Sequence, residues 1–269
     1  MTEPLVDLLA AVWSDIEDLC ADLTDDDWNR ATDCPGWSVK DQVAHMTGTE
    51  SMLLGDQPPA VELEAAPHVR NDIGTFNEQW VAAYRDRPGK EVLGEFHTVT
   101  QRRLDALRAL SPAEWDKEGF TPEGPGPYRT FMEIRVFDCW FHDQDMREAL
   151  GRPGFLEGPV ADLSLERIPP KGLPYVVGKK ASAPQGATVV FHVGGDVPMT
   201  AAIGVEGRAT LLPDVPAVPT TTLTMDRRTF ARLAGGRWTG ERARAEGTVE
   251  ITGDVELGNR IVDNLAFTI

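Results

Sequence analysis

The chain has 269 residues, 41% of them hydrophobic and 26% charged, with a formal net charge of −17. That length favours two domains over one, and the composition is that of a folded globular protein, too apolar for disorder. The charge sets nucleic acid and anionic membrane surfaces aside as partners, and no apolar run is long enough to span a bilayer.

The first residues, Met1-Thr2-Glu3-Pro4, lack the basic and small-residue features of a signal peptide. Cys20, Cys34 and Cys139 are odd in number and form no CxxC pair, so free thiols in a reducing cytoplasm are expected. Leu8, Leu9, Val12, Ile16 and Leu19 recur at helical spacing and predict a helix from about Val6 to Ala21. Thr24 starts a short helix with Asp25, Asp26 and Asp27 in its first turn, where carboxylates favour the dipole. Asp33-Cys34-Pro35-Gly36 is a turn, and Ser38 is the N-cap expected for a helix through His45 to about Leu54. Pro58 and Pro59 open a loop. Further helices are predicted near Ile73–Arg85, Lys90–Leu110 and Tyr128–Leu150, with residues 119–127 as the loop before the last. This half reads as a four-helix bundle.

The pattern changes at Gly151-Arg152-Pro153-Gly154, which places the domain boundary between residues 1–152 and 153–269. A helix over Val160–Arg167 is followed by strands at Thr188–Val193, Thr220–Met225 and Thr248–Thr252. Helices near Arg228–Ala234 and Glu256–Leu265 complete a smaller α+β domain. The fold class is therefore α plus α+β.

On the helix near Tyr128–Leu150, Asp138, His142 and Asp145 fall at spacings of four and three and share a face with Phe131, Ile134, Phe141 and Ala149. Two carboxylates and an imidazole in an apolar stripe are costly to bury without partners. A metal ion resolves that cost, since carboxylate and imidazole at i and i+4 converge on one ion and a third ligand comes from another helix. His45, on the shoulder of the stripe of Val39, Val43, Met46 and Leu53, is the candidate. Two histidines and a carboxylate suit zinc or a similar first-row divalent metal and leave a position open for water or substrate. Spacing alone leaves plainer readings standing: an i,i+4 ion pair for Asp138 and His142, and a satisfied core histidine for His45. His97 is a substitute ligand from a third helix, whereas His68 in a loop and His192 in a strand read as structural.

Asp33-Cys34-Pro35-Gly36-Trp37-Ser38-Val39-Lys40-Asp41-Gln42-Val43-Ala44-His45 resembles the PGW-(S/T)-x-x-(D/E)-x-x-x-H signature of the mycothiol-dependent maleylpyruvate isomerase family. Asp138-Cys139-Trp140-Phe141-His142-Asp143-Gln144-Asp145, followed by Ala149-Leu150-Gly151-Arg152, resembles its second motif, E-x-x-x-H-x-x-D then A-x-G-R. The segments Leu233–Arg237, Gly253–Leu257 and Asn264–Thr268 resemble its C-terminal domain. The resemblance implies a DinB-like metal-binding N-terminal bundle and a sterol-carrier-like C-terminal domain.

By the same resemblance His45, Asp138 and His142 are metal ligands, Asp145 orients His142 or a bound water, and Arg237 pairs with a substrate carboxylate or stabilises an enolate. The family pattern has Glu where this chain has Asp138, one methylene shorter, so an ion is expected closer to the helix or more loosely held. The implied cofactors are a divalent metal, foremost zinc, and mycothiol, whose pKa the metal lowers. In the isomerase the thiolate adds to an activated double bond, the bond rotates, and elimination returns the thiol; a transferase stops after addition. The implied partners are this low-molecular-weight thiol and a small electrophile. A non-catalytic carrier of metal or hydrophobic ligand, and a metal-assisted hydrolase, are the alternatives. Cys139 reads as core, because the i+1 position points away from the Asp138 face. Pro35, Gly36 and Trp37 are assigned to shape, with the indole packed on the bundle.

Overall fold

Leu9, Val12, Ile16 and Leu19 lie on the buried face of α1 (Pro4–Cys20), as their spacing predicts; Leu5 joins them, while Leu8 is only half-buried. The computed structural model describes residues 3–63 and 66–267, so Met1, Thr2 and Thr268 lie outside it. Thr24 caps the short α2 (Asp25–Trp28) in a reciprocal box with Asp27. The turn that follows closes with Gly36 at φ +82°, and Ser38 and Asp41 form the capping box of α3 (Val39–Leu53). Next come α4 (Asp72–Tyr84), α5 (Gly89–Ala109), α6 (Pro112–Trp115) and α7 (Tyr128–Leu150). The segment 119–127, expected as loop, contributes to a minimal antiparallel pair, β1 (Glu118–Gly119) with β2 (Gly126–Pro127).

Helices α1, α3, α5 and α7 form the bundle, α1 lying against α5 and α7, and α3 against α5 and α7 with α4 on its outer side. Enclosure of α3 is nearly complete: Lys40, Asp41, Gln42, His45, Thr47, Thr49, Glu50 and Ser51 are buried along with its apolar residues. Gly48 permits this, because a Cβ there would stand 2.3 Å from Trp80 Cγ of α4.

Helix α7 ends at Gly151, in the left-handed conformation typical of a helix terminus. Arg147 bridges Asp143 on its own helix (2.9 Å) and Asp15 of α1, while Arg152 reaches Leu19 O and Asp22. Burial pushes the Asp143 carboxyl up to about 8; Arg147 pulls it down, and the Asp15 carboxylate that shares this guanidinium adds to the rise. Trp140 Nε1 donates to Phe155 O (2.7 Å) and the Gln144 amide to Gly154 O (3.1 Å). These bonds hold residues 154 and 155 against the bundle, and the two compact units of the chain are Met1–Phe155 and Leu156–Ile269.

The second unit starts with α8 (Pro159–Glu166) and α9 (Ile168–Tyr175), which runs into a π-helical turn at Val176–Lys180. Its sheet has five strands where the sequence predicts three: β3 (Thr188–Gly194), β4 (Met199–Glu206), β5 (Arg208–Leu211), β6 (Thr221–Asp226) and β7 (Val249–Gly253). Their order is β5-β4-β3-β6-β7, antiparallel except for β3 beside β6. Helices α10 (Arg227–Ala234), α11 (Gly240–Ala245) and α12 (Val255–Asp263) complete it. No helix among the described residues is long and apolar enough to cross a membrane.

Gly48→Ala should destabilise the protein by about 1–3 kcal/mol in urea unfolding, the cost of overpacking against Trp80 outweighing the gain in helix propensity. Asp143 keeps its proton in the fold up to about pH 8, whereas the unfolded chain releases it near 4. Its contribution to stability is therefore complete at low pH and declines as pH rises from 4 to 8, by up to about 1.4 kcal/mol per unit. Asp143→Asn should flatten that slope in unfolding measured across the same range.

Candidate metal centre

Helix periodicity places Asp138 and His142 one turn apart on α7, and α3 brings His45 to them across 93 positions of sequence. His45 Nε2 is 3.3 Å from Asp138 Oδ2, and His142 Nε2 is 3.5 Å from Oδ1 of the same carboxylate. One donor atom from each residue lies within 4.8 Å of the others. Ligands about 2.0–2.1 Å from a tetrahedral ion stand about 3.4 Å apart, so the two His–Asp separations suit a first-row divalent cation.

Protonation states suit one too. Burial lowers the His45 pKa to about 4, outweighing the pull of Asp138, so the imidazole is neutral at neutral pH. Burial would raise the Asp138 carboxyl, but Arg135 and His142 hold it well below the usual carboxylate range. The His45 and His142 side chains are 6% and 9% exposed while that of Asp138 is 30% exposed, so solvent reaches the cluster from the carboxylate side. Asp145, fully buried, has Oδ2 3.8 Å from His142 Nδ1, behind the ring and away from the cluster. Burial likewise lifts the Cys139 thiol to about 12, which fits a core residue.

Trp37 stands closer to this chemistry than its assignment to shape suggests. Its ring centroid is 5.0 Å from that of His45 and 5.7 Å from that of His142, tilted over both. The indole Nε1 donates to Glu78 (3.2 Å), which also pairs with His68 (3.1 Å) and Arg85 (2.6 Å). His68 in turn lies on Gly36, where a Cβ would come within 2.3 Å of its ring. The glycine therefore serves both the turn and the closing of His68 over it.

A second set of charges lies beneath the carboxylate. Arg135 gives Nη1 to Asp138 Oδ2 (2.5 Å) and Nε to Glu50 Oε1 (2.8 Å). Glu50 Oε2 accepts from Arg103 Nε (2.9 Å), and Arg103 Nη2 donates to the Tyr128 hydroxyl (3.0 Å). Glu50, Arg103 and Arg135 are all at most 3% exposed. Helical spacing alone does not mark these three residues. The signal was available, since Arg103 interrupts the stripe Val99, Leu104, Leu107 and Arg135 directly follows Ile134.

His97 is not at the cluster: it is exposed and pairs with Glu17 of α1 at 3.1 Å. His192 is an exposed strand residue 3.1 Å from Thr200 Oγ1. Arg237 lies in the second unit just after α10, where Nη1 donates to Gly235 O at 3.2 Å.

Residues 9–147 match the family model of the mycothiol maleylpyruvate isomerase N-terminal domain. An uncharacterized protein of Mycobacterium tuberculosis, known from two strains, is 28% identical over 151 residues, or 55% of this chain; the match spans 57% of that relative's length. The crystal structure of the mycothiol-dependent maleylpyruvate isomerase is 16% identical, over 93% of this chain and 92% of that one, with a TM-score of 0.57, so the two share a fold. Sterol carrier protein 2 like 2 from Aedes aegypti is 18% identical over 36% of this chain and 89% of that one, with a TM-score of 0.28.

Glu50→Ala removes the carboxylate shared by two buried guanidiniums and should cost about 3–5 kcal/mol in denaturant unfolding. A loss below about 1 kcal/mol would mean that Arg103 and Arg135 do not depend on it.

Proposed function

The chain belongs to the mycothiol maleylpyruvate isomerase N-terminal domain family, and from that premise we propose that it is a metal-dependent enzyme with mycothiol as its thiol. In this reading His45, Asp138 and His142 hold one divalent cation, with zinc the first choice. The observation that carries it is the convergence of two imidazole nitrogens and an ionised carboxylate at metal-ligand spacing. A cation there supplies Lewis acidity and lowers the pKa of a thiol in the open position.

The chain's own groups do the rest. His45 enters neutral, with its nitrogen lone pair available to a metal. Asp145 stands behind His142 with Oδ2 3.8 Å from the far ring nitrogen, beyond direct hydrogen-bond distance, and orienting His142 or a bound water is the role this reading gives it. Trp37 covers one flank of both imidazoles and keeps water from it, leaving the Asp138 side as the approach for reactants. The role that the family resemblance gives Arg237, pairing with a substrate carboxylate or enolate, belongs to the same proposal. The substrate class is a small electrophile, either isomerised by reversible thiol addition or joined to the thiol.

Purified protein should bind close to one equivalent of zinc, measured by elemental analysis, and His45→Ala should lose it; stoichiometric zinc in that variant would rule out the ligand set. The zinc-loaded protein should also bind mycothiol in calorimetry. Absence of binding at millimolar thiol, with zinc present, would exclude the thiol reaction and leave hydrolysis or carriage as the function.

A further inference from the structure

The Asp138 carboxylate is asymmetric in its surroundings. Oδ2 accepts a 2.5 Å hydrogen bond from Arg135 Nη1 and is the oxygen nearer His45, whereas Oδ1 stands 3.5 Å from His142 Nε2. Arg135 is not a mobile surface arginine. It is 3% exposed, and its Nε is bound to Glu50, which Arg103 fixes from the other side. The row Arg103–Glu50–Arg135–Asp138 thus crosses from α5 through α3 to α7, with positive and negative groups alternating. Each internal member is held from two directions, so the far end of the row cannot rotate independently.

We propose that Arg135 is a positioning residue for the metal centre: its guanidinium, forked between Glu50 and Asp138, holds Oδ2 and so fixes the orientation in which the carboxylate faces His45 and His142. This rests on the metal reading above and adds to it the residue that orients the carboxylate. The short side chain at position 138 is part of the arrangement. Asp138 keeps its carboxylate near its own helix, where Arg135, three residues earlier, meets it. The fork matters as well as the charge, because an ammonium is a point donor and cannot span two carboxylates in a fixed plane.

The experiment is a competition titration of the metal-free full-length protein with zinc against a chromophoric chelator, on wild type, Arg135→Gln and Arg135→Lys. Thermal unfolding of each metal-free protein accompanies it. Arg135→Gln leaves Glu50 paired with Arg103 and the partly exposed Asp138 in contact with solvent, so the fold has partners for the groups it strands. Both variants should bind zinc about 10–100-fold more weakly than wild type, the usual cost of losing a group that orients a ligand. Their cobalt(II) forms should also show a shifted visible band as the carboxylate changes its mode of coordination. Wild-type affinity in a folded Arg135→Gln protein would overturn the proposal, because a residue needed only for stability moves the melting temperature and not the affinity. Wild-type affinity in Arg135→Lys would overturn it as well, by showing that charge suffices without the fork; this variant serves alone if the glutamine form does not fold. Absence of zinc binding by the wild type would instead sink the metal reading, and this proposal with it.

Discussion

Polar groups withdrawn from water must find partners inside the protein, and α3 turns that requirement into architecture. It is the most enclosed helix of the bundle, yet eight of its buried residues are polar or charged. Lys40 donates to the carbonyls at the end of α4, Gln42 donates to Thr32 in the preceding turn, Thr47 and Thr49 bond back to their own helix, and Glu50 lies between two arginines. His45 is the member whose partners also form a cluster suited to a cation. The same helix therefore supplies the bundle's interior and its chemistry, and Gly48 lets α4 approach closely enough to close the arrangement.

The parts of the fold readable from sequence are those with one wet and one dry face. The stripe of α1, the Ser38 cap of α3 and the glycine stop of α7 each leave a local mark. The β4 strand leaves none: Ala201 to Val205 are buried at five successive positions, so the alternation that announces a half-buried strand is missing. β5 lies at the sheet edge with mostly exposed residues and reads as polar loop. Helix α9 is concealed by Pro169, Pro170 and Pro174, the first two sitting in the first turn, where a missing amide donor costs nothing.

The candidate centre divides in the same way. Asp138 and His142 are on one helix, and their pairing follows from periodicity. Their meeting with His45 depends on how α3 and α7 pack, which spacing could suggest only through family resemblance. The residues around them depend on tertiary structure entirely. Trp37 covers the imidazoles because Glu78, forty-one positions later, accepts a hydrogen bond from its indole N–H. Arg135 reaches the carboxylate from within α7, but it is kept in place by Glu50 of α3. A charged residue inside an apolar stripe was the visible sign that such a partner had to exist.

The pairing of Glu50 with two arginines also bears on how such a sequence can change over generations. Losing the glutamate strands two buried cations, and losing either arginine removes half of what compensates the glutamate. Single substitutions at positions 50, 103 or 135 therefore pass through a less stable protein, and only joint replacement escapes that valley. Three residues widely separated in the chain are thereby bound to a shared history. In relatives that have lost one of them, the other two are the places to look for compensating change.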